Sequence, residues 1–290
     1  MFGMASKKFS METGKQPTWC PGCFNFQILA GVKNAIIREI ENGGQKDDFA
    51  IVSGIGCHGK IFDYLNLNGI NTLHGRVLPT CFGIKLGNPN LSVIGFSGDG
   101  DAYAEGIEHF IHACRYNPDF KYIVHNNQVF ALTVGQPTPT TEQGFKDKTN
   151  PDGVKVKPLN PLKIALASGA SFVARVFADS CQVEQVLLEA LKHKGFAFID
   201  VIQPCLVFHP GKGLKERLYS LESEGHDKTS FEQAWEKASE YDYNDGQKIP
   251  VGIFYQKQEK VFEDNYPPVS YTHLRAHETP EHLVCRLLLE

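Results

Sequence analysis

The chain has 290 residues, a formal net charge of -4 and no block of Lys and Arg, so it offers no basic face for nucleic acid. No stretch reaches the roughly 18–20 consecutive apolar residues that a membrane span requires. With 42% apolar and 21% charged residues the composition is that of a globular protein of one large or two smaller α/β units.

The polar N-terminus, Met1 to Gln16, lacks the apolar centre of a signal peptide, and a cytoplasmic protein is the expectation. Phe26, Leu29, Val32, Ile36, Ile37 and Ile40 fall near helical spacing and predict a helix from Phe24 to Asn42. Phe49 to Ser53 and Leu91 to Phe96 are short apolar runs that stop at Gly and Ser, which marks buried strands. The second breaks into Ser97-Gly98-Asp99-Gly100-Asp101, a helix from Ala102 to Tyr116, a stop at Asn117-Pro118-Asp119 and a strand from Lys121 to His125. Strand, helix and strand in so short a span predict a right-handed βαβ unit with parallel strands. Phe172 to Phe177 and Phe196 to Ile202 flank a helix from Val183 to His193. The alternation predicts a doubly wound, mostly parallel sheet covered by helices on both faces.

Residues 1–210 are expected to form the main domain. Residues 211–268 are more charged, with a helix within Lys212 to Tyr243 and an apolar run at Ile249 to Tyr255, and are expected to pack on that domain as a C-terminal extension. Val269 to Glu290 has no relation to the preceding pattern and resembles a translated sequencing-adapter tail. It is set apart as non-native together with Cys285, His273, His277 and His282.

Asp99 in Gly98-Asp99-Gly100-Asp101 and Asn127 in Asn126-Asn127-Gln128-Val129 should both lie just past the C-terminal ends of parallel strands, the edge where open α/β sheets bind ligands. A carboxylate beside an amide oxygen suits Mg²⁺, which keeps phosphate oxygens in its shell. Gly98 and Gly100 permit close backbone approach, and the helix N-terminus that follows favours a pyrophosphate. Gly-Asp-Gly followed about thirty residues later by Asn-Asn resembles the thiamine diphosphate motif. That resemblance implies that Asp99, Asn127 and the backbone carbonyl of Val129 hold the metal.

The chain has eight cysteines, spread from end to end. Cys57 and Cys205 each follow a strand, and Cys20 and Cys23 in Trp-Cys-Pro-Gly-Cys precede the first helix, so all four can meet at the same sheet edge. Four thiolates suit a tetrahedral sulfur centre, zinc or an iron–sulfur cluster. A thioredoxin-like dithiol would need a strand before the motif, and Phe9 to Thr18 shows none. Cys81, Cys114 and Cys181 are expected to be buried small hydrophobes.

In their order and spacing, WCPGC, GIGCHGK, TLHGR, GDGDAYAEGIEHFIHACRYN, HNNQVFALTVGQPTPTT and QPC resemble the β subunit of 2-oxoacid:ferredoxin oxidoreductases over residues 17–268, most closely the short 2-oxoglutarate-type chains. The resemblance implies a 4Fe-4S cluster on Cys20, Cys23, Cys57 and Cys205, and Mg²⁺ on Asp99, Asn127 and Val129. Around thiamine diphosphate it implies Ile55, Gly56, Cys57, His58, His74, Gly100, Asp101, Ala131 and Leu132. Lys60 and Leu132 would lie near the 2-oxoacid, and His74 or His58 is the local acid–base candidate. His58 and Val134 depart from the residues the family often carries at those positions. The implied reaction is oxidative decarboxylation of a 2-oxoacid with coenzyme A, electrons leaving through the cluster to ferredoxin. An α subunit would supply the Glu that activates the cofactor. A non-redox thiamine enzyme and a zinc-stapled binding module are the competing readings.

Overall fold

In a computed structural model that describes residues 10–211, 213–244 and 246–266, the chain is built on one eight-stranded sheet. The proposed tail 269–290 lies outside the described residues. Helix α1 (Asn25–Glu41) leads to β1 (Phe49–Ser53), a short α2 (Ile61–Tyr64), β2 (Asn68–Asn71) and α3 (Val77–Gly87). Strand β3 (Ser92–Gly98) is followed by a π-helical turn at Asp101–Glu105, α4 (Ile107–Tyr116) and β4 (Lys121–Asn126). Two short strands, β5 (Val129–Phe130) and β6 (Gln136–Pro137), pair with each other. Then come α5 (Pro161–Ala167), β7 (Phe172–Phe177), α6 (Ser180–Lys192), β8 (Ala197–Ile202), β9 (Leu218–Ser220), α7 (Phe231–Ser239) and β10 (Ile249–Gln256).

The strand order is β2-β1-β3-β4-β8-β7-β10-β9, and every pair is parallel except β10 with β7. The expected doubly wound, mostly parallel sheet is what forms. The central strands are buried along their whole length, including the charged Arg175 of β7 and Asp200 of β8, which pair with each other. On one face Ile28, Val32 and Ile36 of α1, with Val183 and Leu187 of α6, cover Ile51, Ile94, Ile123 and Ile199. On the other, Val77 and Cys81 of α3, Phe110 and Cys114 of α4 and Leu162 of α5 cover Val52, Val93, Val124 and Phe198. Cys81 and Cys114 are buried as predicted, but Cys181 is exposed. It is the second residue of α6, directly after the capping Asp179 and Ser180, where the helix has not yet turned onto the sheet.

The local signals explain the boundaries. Asn117 ends α4 in the left-handed region with φ 52°, a conformation Asn tolerates better than most residues. Asp179 accepts the N–H groups of Cys181 and Gln182 at the start of α6, and Asn160 accepts that of Lys163 before α5, whose first residue is Pro161. No helix among the described residues is long and apolar enough to cross a membrane.

Candidate active site

Parallel strands deliver their loops to one edge, and that edge gathers the predicted residues. β3 ends at Gly98 and β4 at Asn126, so Asp99 and Asn127 are the first residues beyond adjacent strands. The Asn127 N–H points to Asp99 Oδ1 at 3.4 Å, and Asn127 Oδ1 accepts the N–H of Val129. Val129 pairs with Pro137, which has no N–H, so its carbonyl gets no ladder bond from that partner. Asp99 is 2% exposed, and burial pushes its carboxyl up to about 6 against the lowering hydroxyls of Thr138 (2.5 Å) and Thr140 (3.0 Å). A buried carboxylate of this kind is fully ionised at neutral pH at least cost with a cation beside it, which fits Mg²⁺.

One cavity is lined by Asp99, Asn127 and Val129 together with Ile55, Gly56, Cys57, His58, His74, Gly100, Asp101, Ala131 and Leu132. All the residues expected around a diphosphate cofactor therefore share one space. Asp101 lies at the centre of its polar wall: Oδ1 accepts the Gly75 N–H at 2.7 Å and stands 3.3 Å from His74 Nδ1, while Oδ2 stands 3.5 Å from His58 Nε2. Burial alone would raise the Asp101 carboxyl, but His58 and the Gly75 N–H outweigh it and hold it below its ordinary value. His125 Nε2 is buried without a hydrogen-bond partner among the described residues, whereas His58 Nε2 and His74 Nδ1 face Asp101. An unpartnered buried nitrogen in the cavity lining fits a polar ligand.

Two glycines are sterically required there. A Cβ on Gly100 would come within 2.1 Å of the Phe130 ring, and one on Gly54 within 2.0 Å of Asp101 Oδ2. The space this chain encloses is about 80 Å³, against roughly 300 Å³ or more for a typical ligand pocket. A larger cavity, about 550 Å³, is lined by Glu142, His209, Arg217 and Tyr241 and contains none of the predicted site residues.

Cys20, Cys23, Cys57 and Cys205 line a further cavity, which shares Cys57, Asn127, Ala131 and Gln203 with the cofactor cavity. The Trp19 indole N–H donates to the Cys57 carbonyl at 2.6 Å, and the Cys23 N–H closes a turn onto the Cys20 carbonyl. Burial raises the Cys23 thiol, and it pushes that of Cys57 to about 11 despite the Lys60 ammonium nearby. Such thiols are protonated unless a metal takes the proton's place. Among the described residues no three His, Cys, Asp or Glu side chains are grouped to hold one metal ion. A lone zinc would draw all its sulfurs to about 2.3 Å, whereas a four-iron cube takes its thiolates at separate corners. Four thiols lining one cavity are a soft donor set that either centre uses. Lys60 lines this cavity rather than the cofactor cavity, its ammonium 3.1 Å from the Thr18 carbonyl.

Sequence reasoning does not single out Asn25, His125, Gln203, Thr138 and Thr140. Asn25 Oδ1 accepts from Gln203 Nε2 at 3.0 Å and lies 2.9 Å from His125 Nδ1, a knot at the partition between the cavities. Their partners come from three distant segments, which no local pattern reveals. The threonines do stand in the quoted QPTPTT run, where hydroxyls in series are the available signal.

Comparison with known proteins follows the same lines. The family described as "Thiamine pyrophosphate enzyme, C-terminal TPP binding domain" matches residues 54–201. The family of C-terminal regions of the pyruvate ferredoxin oxidoreductase β chain matches residues 212–270. The 2-oxoacid:ferredoxin oxidoreductase subunit beta of Saccharolobus solfataricus is 41% identical over 256 residues, covering 83% of this chain and 82% of that protein. The 2-oxoglutarate synthase subunit KorB of Archaeoglobus fulgidus is 44% identical over 197 residues, 67% of this chain and 72% of that one. Among solved structures, the 2-oxoglutarate:ferredoxin oxidoreductase from Magnetococcus marinus with 2-oxoglutarate, coenzyme A and succinyl-CoA bound superposes with a TM-score of 0.82. It is 30% identical and the match covers 93% of this chain and 90% of that one.

Proposed function

The chain belongs to the β subunits of the 2-oxoacid:ferredoxin oxidoreductases, and from that membership we propose that with its α subunit it oxidatively decarboxylates 2-oxoglutarate, with pyruvate the next candidate. The products are the acyl-coenzyme A and CO₂, and two electrons pass singly through a 4Fe-4S cluster to ferredoxin. One observation carries the reading: the four cysteines line a cavity that shares a wall with the cavity of the diphosphate residues.

Bound thiamine diphosphate supplies the carbanion and the electron sink for cleavage between keto carbon and carboxylate. In this chain Asp99, the Asn127 amide and the Val129 carbonyl hold Mg²⁺, and Gly98 and Gly100 let the pyrophosphate approach the backbone. His58 and His74 hold Asp101 between them and orient donors toward the cofactor. Cys20, Cys23, Cys57 and Cys205 would hold the cluster, and Gln203 lines both cavities. Lys60, beside Cys57, places a positive charge where a reduced centre gains from it. The small enclosed volume agrees with a site completed by the α subunit.

The test is to purify the α/β complex without oxygen, measure iron and sulfide, and assay viologen reduction by several 2-oxoacids with coenzyme A. About four irons per β chain and reduction dependent on 2-oxoglutarate are expected. An iron-free complex that still decarboxylates would make it a non-redox thiamine enzyme.

A further inference from the structure

Asp99 is bonded to more than its nearest hydroxyls. Thr140 Oγ1 lies 3.0 Å from Asp99 Oδ2 and 3.0 Å from Asn126 Oδ1, and its single proton can serve one of them at a time. Asn126 in turn donates Nδ2 to Asp200 Oδ1 at 3.0 Å, which fixes its oxygen toward Thr140. Asp200 Oδ2 stands 3.3 Å from Arg175 Nε and accepts the Tyr243 hydroxyl at 2.5 Å. Thr140, Asn126, Asp200 and Arg175 are fully buried, and Tyr243 is 1% exposed.

An ion pair at the centre of an apolar sheet face is expensive, and its best-attested use is to fix one arrangement. Arg175 on β7 and Asp200 on β8 are register partners, so the pair is set by the sheet itself. Tyr243 reaches it from the segment after α7 with φ 59°, a left-handed backbone that a bulky residue adopts only under constraint. Close contacts thus run from Tyr243 through Asp200 on β8 and Asn126 on β4 to Thr140, whose one proton is shared between Asn126 Oδ1 and the Asp99 carboxylate.

We propose that Thr140 and Asn126 are positioning residues that tie the Asp99 carboxylate to the Arg175–Asp200–Tyr243 cluster, so that metal affinity at the cofactor site depends on the C-terminal segment. The inference rests on the reading that Asp99 holds Mg²⁺ for thiamine diphosphate. Thr138 also bonds Asp99 and lies 3.4 Å from the Thr140 hydroxyl, but among the described residues its hydroxyl bonds neither Asn126 nor Asp200.

The experiment is a Mg²⁺ titration of thiamine diphosphate binding to the α/β complex, followed by intrinsic fluorescence and independent of turnover. Thr140→Val is expected to weaken Mg²⁺ by about 10-fold or more, the usual effect of removing an outer-shell partner, while Thr140→Ser restores it. Tyr243→Phe should shift the titration in the same direction with circular dichroism unchanged. If that variant fails to assemble, Tyr103→Phe, which removes the 3.3 Å bond to Asp200 Oδ1, tests the Asp200 step by itself with a smaller shift expected, and an unshifted titration there also overturns the relay. Wild-type Mg²⁺ affinity in Thr140→Val, or in the tyrosine variant, overturns the relay. A wild-type complex that binds thiamine diphosphate without Mg²⁺, or not at all, instead overturns the reading beneath it.

Discussion

Gly100 shows how much one hydrogen atom in place of a methyl group decides. The Phe130 ring lies against its α-carbon, so Gly100→Ala must push Phe130 toward the cavity lined by Asp99 and Asn127. Overpacking of this kind costs about 1–3 kcal/mol. The expected result is roughly 10-fold or more weaker thiamine diphosphate binding by calorimetry and a melting temperature lower by about a few degrees; equal affinity would show that the ring moves freely. The candidate ligands are legible in the sequence because Asp99, Asn127 and the cysteines are residue types whose chemistry is explicit at known spacing. Thr140 and Gln203 are not, because a threonine or glutamine acquires its role only from what the fold sets beside it. Cys181 departs from expectation for a related reason: hydrophobicity does not say which turn of a helix faces inward.

Among the elements, strands that read as largely apolar runs, β1, β4, β7 and β8, form where the sequence predicts them. β2 reads Asn-Gly-Ile-Asn and is exposed along its length, so it carries no burial pattern and no sequence signal marks it. The turn after β3 is expected to open directly into a helix, yet Asp101–Glu105 is π-helical and only Ile107 begins α4. Its wider turn puts Asp101 between His58 and His74, which agrees with the habit of π segments to sit at functional sites.

The opposite edge of the sheet gives a pH prediction. His193, after α6, donates from Nε2 to Ser171 Oγ (2.8 Å), because that hydroxyl donates to Asn117 Oδ1 at 2.6 Å. Burial, helped by the Lys121 ammonium, lowers His193 to about 4 from 6.5. The folded state therefore holds the neutral ring while the unfolded chain takes up a proton below pH 6.5. Stability from this group is full above about pH 6.5 and falls as pH drops toward 4, by up to about 3 kcal/mol. Urea unfolding from pH 7.5 to 4.5 should show that slope in the wild type and a shallower one in His193→Gln; identical slopes would remove His193 as the cause.

At the scale of the molecule, the cofactor edge is unfinished. Leu73 is 76% exposed, Val134 61% and Leu132 50%, all at or next to the mouth of the cofactor cavity. Apolar side chains clustered at an open site mark an interaction surface, and the family's α subunit is the partner proposed for it. The isolated chain is expected to bind an apolar fluorescent dye and to lose that signal when the α subunit is added. A signal unchanged on assembly would place the α subunit on another face. The far edge is finished by the chain itself, since β10 and β9 extend the sheet beyond β7 and carry the segment that delivers Tyr243.

By itself the sequence determined the alternation of strand and helix, the edge at which the loops emerge, and the residue types able to hold a metal, a diphosphate and a cluster. These are local properties, written in periodicity and in side-chain chemistry. Only the tertiary structure decided that the two candidate centres share a wall, that Lys60 stands on the cysteine side of it, and that close contacts through Thr140 and Asn126 lead from the Asp99 carboxylate to an ion pair at the middle of the sheet. Those relations join residues far apart along the chain, and it is strand order and register, not spacing in sequence, that bring them within hydrogen-bond reach.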